Sequence, residues 1–275
     1  NKKNNFFLIK YSEFYNFYLN KLKKNKYIKF IKLKNNYDNS FYKKNYNLII
    51  NSEKNNKISI DHFSKRIVKD YSSTAYTTII IHKKCINRTA LQIFTKIGPI
   101  AFLPISKTKT SIVFSVFDKI QADNQDKIKE YIKKYNFIYN IKNLSKIEKF
   151  KLEFSFPRNY YFRNILLFGD ALHQVHPLAG QGFNMTIRDI KILIDIIKER
   201  IELGLPLDRS INTEFEKKIK HKNYIFSNSI DLIHEFFNFE RKFNNNILSK
   251  SVKFLGNNSS LNKMINQIAD KGITL

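Results

Sequence analysis

The sequence predicts an α/β chain with α+β character, and three features carry that expectation. A wholly apolar run at Ile165–Phe168 ends on Gly169-Asp170, as a buried parallel strand does where it delivers a loop. A long helical pattern follows over Gly182–Leu203. Upstream, Ala75–Ile81, Ala90–Thr95, Ile100–Ile105 and Ser111–Phe117 are rich in β-branched and aromatic residues. Their short connections imply antiparallel neighbours.

Phe7, Leu8, Tyr11, Tyr15, Tyr18, Leu19 and Leu22 recur at helical spacing and predict an amphipathic helix over Phe7–Leu22. Tyr27–Leu33 alternates and predicts a strand, and the apolar run Tyr46–Ile50 predicts a buried one. In the β-rich section, Gly98-Pro99 separates the second strand from the third, and Lys107–Lys109 is the turn before the fourth. Ala122–Tyr135 is helix-like. Over Gly182–Leu203 the residues Ile187, Ile190, Leu193, Ile194, Ile197 and Ile201 share a face, and Gly204 and Pro206 stop the helix. From Asn212 onward the pattern is helical, with Tyr224, Ile225, Ile230, Ile233, Phe236 and Phe237 as expected core faces.

Composition narrows the function classes. With 275 residues and 43% apolar content the chain is long enough to bury a core. No run approaches the roughly 18 apolar residues of a membrane-spanning helix. Phe6–Ile9 is too short for the apolar part of a secretory signal. The net charge of +26 suits nucleic acid or an anionic membrane. Yet the lysines are spread along the chain among Asn, Ile, Tyr and Phe, the bias of an AT-rich coding sequence. With no RNP-like or zinc-finger spacing, nucleic acid is not an expected partner, and weak attraction to anionic lipid remains. The single cysteine, Cys85, rules out an internal disulfide and a Cys-based metal site and fits a reducing, cytoplasmic compartment. It sits in a strand-like region with no helix N-terminus to activate it, so it is a poor nucleophile.

The chemistry concentrates at Gly169–Asn184, GDALHQVHPLAGQGFN. Gly169 lets the backbone turn tightly, and Asp170 then stands at the carboxyl end of a parallel strand, where open α/β sheets bind ligands. A carboxylate there accepts hydrogen bonds from ribose or ribityl hydroxyls. In Pro177-Leu178-Ala179-Gly180-Gln181-Gly182, two glycines and small neighbours allow close approach to a flat ligand. The helix that begins near Gly182 aims free N–H groups and its positive dipole end at that loop.

This segment resembles the second FAD-binding motif of the aromatic-ring hydroxylase flavoproteins. Gly169, Asp170, Ala171, His173, His176, Pro177, Gly180, Gln181, Gly182, Asn184, Arg188 and Asp189 match that pattern, while Leu172, Phe183 and Thr186 depart mildly. The His-Pro and Gln-Gly-Phe-Asn form looks most like the ubiquinone-biosynthesis monooxygenase branch. Gln92–Thr95, Gly98–Ser106 and Ser111–Val113 resemble the substrate-domain sheet of the same enzymes. The resemblance implies an incomplete FAD/NAD(P)-binding three-layer fold with an inserted antiparallel-sheet substrate domain and C-terminal helices. Residues 1–70 and 156–204 would belong to the FAD-binding domain, 71–155 to the substrate domain and 205–275 to the helices. Gly169, Asp170, Pro177, Gly180, Gln181, Gly182, Phe183 and Asn184 would bind the cofactor, with no protein residue as catalyst and no metal.

The implied activity is an FAD-dependent monooxygenase that uses NAD(P)H and O₂ to hydroxylate a polyprenylated phenol in ubiquinone biosynthesis. Other ubiquinone-biosynthesis proteins are the implied partners. Such a substrate resides in the bilayer, so peripheral contact at the inner face of the membrane is expected of an otherwise cytoplasmic protein.

The sequence departs from the family at its other flavin elements. Its first glycine is Gly98, so no glycine-rich phosphate loop precedes it, and the chain starts at Asn1 rather than Met. A missing N-terminal portion is expected, and with it weak FAD binding by this chain, or none. The middle motif of the family falls on Asn51-Ser52-Glu53-Lys54, where an acid survives and both glycines are gone. A pseudoenzyme or scaffold subunit is the alternative reading. His173 and His176 lie three apart but lack a third metal ligand. Arg188 and Asp189 fit a local ion pair or a cofactor role. Phe94, Phe102, Phe114 and Phe117 are more often core than substrate wall, and His62, His82, His221 and His234 form no constellation.

Overall fold

The computed structural model describes residues 9–31, 46–120, 124–175 and 181–242, with the side chains of 181 and 230–242 left out. In order the elements are α1 (Tyr11–Lys23), β1 (Ile49–Asn51), α2 (Lys57–His62), β2 (Arg66–His82), β3 (Leu91–Thr95), β4 (Gly98–Ser106), β5 (Lys109–Phe117), α3 (Gln125–Tyr135), β6 (Ile141–Leu144), β7 (Glu148–Pro157), β8 (Tyr161–Phe162), β9 (Ile165–Leu167), α4 (Gln181–Glu202) and α5 (Ser210–Lys242). The chain divides into two compact units, Asn1–Lys34 with Ser72–Leu152 and Asn35–Tyr71 with Glu153–Leu275.

The first unit is built on an antiparallel sheet in the order β3-β4-β5-β2-β6. Alternation selects its core face: Ile100 and Phe102 from β4, and Ile112, Phe114 and Val116 from β5, are all buried. Ile128 and Ile132, one turn apart on α3, pack into the same cluster. Phe102 and Phe114 are therefore core, whereas Phe94 is 41% exposed. Gly98 and Pro99 do not separate two strands as expected; they open β4, and Lys96-Ile97 make the turn. Gly98 is there because its backbone lies close against β5: at φ +139°, a Cβ would fall 1.8 Å from the Ser115 carbonyl oxygen. Cys85 lies just past β2, not in a strand, with its Sγ 3.7 Å from His82 Nδ1.

Tyr27–Leu33 is not a strand where it is described. Residues 26–27 turn and 28–31 are irregular. Tyr27, Phe30 and Ile31 are exposed and pair with no strand among the described residues, and alternation without a partner gives the backbone no ladder. The first helix forms as expected over Tyr11–Lys23, while Phe7 and Leu8 lie outside the described residues.

The second unit holds a small sheet, β1-β9-β8. β1 and β9 run parallel, with Ile49 opposite Ile165 and Asn51 opposite Leu167, and β8 pairs antiparallel with β9. Every residue of β9 is buried. β1 was expected to be buried, but Ile50 is 51% exposed, since β1 is flanked by a strand on one side alone among the described residues. α4 and α5 complete the unit. The left-handed Gly204 (φ +66°) ends α4.

α4 buries a face other than the isoleucine-rich one, though Leu193 of the expected face is buried, and α5 buries a face that leaves out Tyr224 and Ile225. On α4 the buried stripe is Met185, Asp189, Leu193 and Ile196, while Ile187, Ile190, Ile194 and Ile201 are exposed. On α5 it is Ile211, Phe215, Ile219, Asn223 and Phe226, with Tyr224 and Ile225 exposed. Isoleucine is so common here that apolar spacing marks two faces. The one that wins carries buried polar residues whose partners lie far along the chain. Ile230, Ile233, Phe236 and Phe237 lie outside the described side chains.

Candidate functional site

The GDALHQ turn starts where β9 ends. Phe168 remains extended, with its N–H on the Asn51 carbonyl (2.9 Å). Gly169 then adopts φ +57°, a left-handed conformation that L side chains resist. A Cβ at Gly169 would meet nothing within 4 Å, so the backbone conformation selects glycine and space lies open beside it. Residues Gly169–Ala171 form a single 3₁₀ turn, closed by the N–H groups of Leu172 (2.9 Å) and His173 (3.0 Å) on the Gly169 carbonyl. Asp170 points its side chain into solvent, while its neighbours Ala171, Leu172 and His173 are buried.

Side chains from distant segments fix this turn. The Arg66 Nε donates to Ser155 Oγ (2.7 Å) and its Nη2 to the Ala171 carbonyl (2.9 Å). Burial pulls the Arg66 pKa down, opposed by the charge of Glu153. The main chains of Ser155 and Gln174 exchange both hydrogen bonds, at 2.9 and 3.0 Å. Lys54 Nζ donates to Glu153 Oε1 and to Gln174 Oε1 (2.9 Å). Lys54 is thus an anchor of the turn. On the other side, His173 Nε2 donates to Asp189 Oδ2 across 2.8 Å, with both side chains 1% exposed. A carboxylate can only accept, so the hydrogen is on Nε2.

The expected site residues divide as follows. Gly169 and Asp170 lie together at the end of β9, and Gly182, Phe183 and Asn184 lie in the first turn of α4. Phe183 and Asn184 are exposed. A Cβ on Gly182 would make ordinary contact with Val175 Cγ2 at 3.8 Å, so close packing of protein does not dictate this glycine. His176, Pro177 and Gly180 lie outside the described residues, as does the Gln181 side chain. Asp189 is directed inward to His173 and Asn223, and Arg188 lies over the Phe226 ring at 4.5 Å. Among the described residues no three His, Cys, Asp or Glu side chains gather as metal ligands.

Sequence reasoning missed Lys54 and Arg66 as anchors, together with Ser155 and Asn223. Their contacts span from 34 to 120 residues and leave no local signature. The Glu53-Lys54 departure was a signal, but it read as a loss.

These residues fit the ribityl and isoalloxazine side of a flavin. The exposed Asp170 carboxylate can accept hydroxyl hydrogens, and the Gly169 backbone has open space beside it. The N-terminus of the 22-residue α4 follows ten residues after the turn.

Comparison with known proteins agrees with this geometry. A family model described as an FAD binding domain matches residues 54–202, more than half of the chain. The ubiquinone biosynthesis monooxygenase COQ6, mitochondrial, of Dictyostelium discoideum is 32% identical over 123 residues, covering 44% of this chain and 25% of that protein. The 3-demethoxyubiquinol 3-hydroxylase of Escherichia coli is 27% identical over 170 residues, covering 58% of this chain and 43% of that protein. The chain thus spans less than half the length of these curated relatives. Among solved structures, PqsL of Pseudomonas aeruginosa, a probable FAD-dependent monooxygenase, aligns with a TM-score of 0.52 at 14% identity, over 71% of this chain and 56% of that one. The flavin-dependent brominase Bmp2 aligns with a TM-score of 0.61 at 11% identity, over 82% of this chain and 57% of that one. At such identities the structures establish the shared fold. The match over residues 54–202, which takes in the turn, its anchors and α4, places this chain in the FAD-binding domain family.

Proposed function

We propose that this chain is the flavin-turn and substrate-sheet portion of an FAD-dependent monooxygenase that hydroxylates a polyprenylated phenol in ubiquinone biosynthesis. The observation that carries the reading is Asp170: an exposed carboxylate on a left-handed glycine turn at the carboxyl end of a buried parallel strand. The curated relatives, which are ubiquinone-biosynthesis monooxygenases and hydroxylases, supply the substrate class.

FAD, reduced by NAD(P)H, supplies the oxygen-activating chemistry when bound. Overall, phenol, O₂, NAD(P)H and a proton give the hydroxylated phenol, water and NAD(P)⁺. The residues of this chain bind and orient. Asp170 accepts hydrogen bonds from ribityl hydroxyls, and Gly169 lets the backbone come close beside it. The first turn of α4, with Gln181, Gly182, Phe183 and Asn184, stabilises negative charge at the edge of the ring system, and Pro177 and Gly180 belong to the same cofactor-binding set. Arg66, Lys54 and His173 hold the turn still, so that orientation costs little at the moment of reaction. No helix among the described residues is long and apolar enough to cross a membrane. With a net charge of +26, the chain reaches a bilayer-resident substrate through peripheral contact with anionic lipid.

The direct test supplies excess FAD, NADH or NADPH, ¹⁸O₂ and a short-chain prenylated phenol, and reads ¹⁸O in the product by mass spectrometry. The expected result is label in the wild-type product and, once FAD is made limiting, about tenfold less with Asp170→Ala. Flavin bound with no labelled product would favour the second reading, a pseudoenzyme. That reading rests on Lys54 standing where the motif that this segment resembles has a glycine.

A further inference from the structure

We propose that Asn223, on α5, is a positioning residue for the flavin-binding turn and acts through Asp189 and His173. The proposal rests on the reading that this turn holds flavin.

Asp189 is 1% exposed and needs donors for both oxygens. Asn223, 7% exposed, gives its Nδ2 hydrogens to Asp189 Oδ1 (3.1 Å) and Oδ2 (3.2 Å). The same Oδ2 accepts from His173 Nε2 at 2.8 Å. The relay therefore runs from α5 through α4 to the residue whose own N–H closes the 3₁₀ turn on the Gly169 carbonyl. The carboxylate has two jobs, and Asn223 sets which way it faces. Without that carboxamide, Asp189 would lack a donor on Oδ1 and would rotate toward any available proton, drawing the imidazole with it.

An apolar contact runs beside the relay between the same elements. Met185 of α4 and Phe226 of α5 are buried together, with Val175 packed against them. Asn223 and Phe226 are one turn apart on α5, as are Asp189 and Met185 on α4, and His173 and Val175 are two apart on the turn. This contact fixes the spacing of the elements and leaves the polar relay to fix the rotation of the turn. The pattern is specific to α5, a helix that no motif singled out.

The test uses the 275-residue chain with Asn223→Leu, which keeps the branched shape and removes the donor, and Asn223→Ser, which keeps polarity but is too short to reach. Hydrogen exchange is read at the Leu172 and His173 amides and, for comparison, at Ile196 in the core of α4. FAD affinity and the visible circular dichroism of FAD at saturation are read in parallel. Both variants should exchange about tenfold faster at the turn, with Ile196 nearly unchanged, and should bind FAD about tenfold more weakly. The dichroism of bound FAD should change shape, a shift that a loss of stability alone would not produce. Asn228→Ala, on an exposed part of α5, should change none of these. Unchanged exchange at the turn, or equal acceleration at Ile196, would overturn the proposal. Failure of the wild type to bind FAD would instead remove the functional reading, and the exchange rates would still decide whether Asn223 positions the turn.

Discussion

Replacing Gly98 by alanine is expected to cost the first unit about 4 kcal/mol or more, among the largest single-residue effects in the chain. Two independent costs combine. The backbone sits at φ +139°, outside the range that L side chains accept, and the new Cβ would lie 1.8 Å from the Ser115 carbonyl oxygen and 2.9 Å from its carbon. The obstruction is backbone of a central strand, so relief requires β4 and β5 to part, and that exposes Ile100, Ile112 and Phe114. Gly204→Ala is the internal control. It also has positive φ, at +66°, but meets nothing within 4 Å, so about 1 kcal/mol is expected. Urea denaturation of both variants checks the pair. Equal destabilisation would show that conformation alone, not the close approach to β5, selects Gly98.

The second large effect belongs to His173. His173→Leu should destabilise the second unit by about 3–5 kcal/mol, because it leaves the Asp189 carboxylate buried without its shortest hydrogen bond. Cost here reflects a buried carboxylate left with fewer donors more than a lost attraction. The double variant His173→Leu/Asp189→Leu should therefore be more stable than His173→Leu alone. Thermal unfolding of the single and double variants measures the difference. A double variant less stable than His173→Leu would mean that the pair contributes net attraction and not merely mutual compensation.

Parts of this architecture were legible from local pattern. Ile165–Phe168 read as a buried parallel strand because burial on both faces leaves no polar position, and β9 is buried throughout. The four β-rich segments found their antiparallel partners because each alternates over a short span. Patterns with an ambiguous period or an absent partner misled. Tyr27–Leu33 alternates but pairs with no described strand. The isoleucines of α4 repeat on a face that the fold leaves exposed, and the buried stripe was disguised by Asp189. At the site, Gly169 and Asp170 were readable because strand, glycine and acid are adjacent in sequence. The anchors were not. Arg66 reaches Ala171 across 105 residues and Lys54 reaches Gln174 across 120, and no local spacing encodes such contacts.

The central claim is that the turn at Gly169–Asp170 holds the ribityl and ring side of a flavin. Its most direct test is a binding titration of the 275-residue chain with FAD, FMN and riboflavin, for the wild type and Asp170→Ala. The residues assigned here touch no adenosine, so the wild type should bind the three flavins weakly and within about threefold of one another. Asp170→Ala should weaken all three by about tenfold or more, the worth of a hydrogen bond to a charged group. Retention of flavin by Asp170→Ala with wild-type affinity, or no flavin binding by the wild type, would contradict the account.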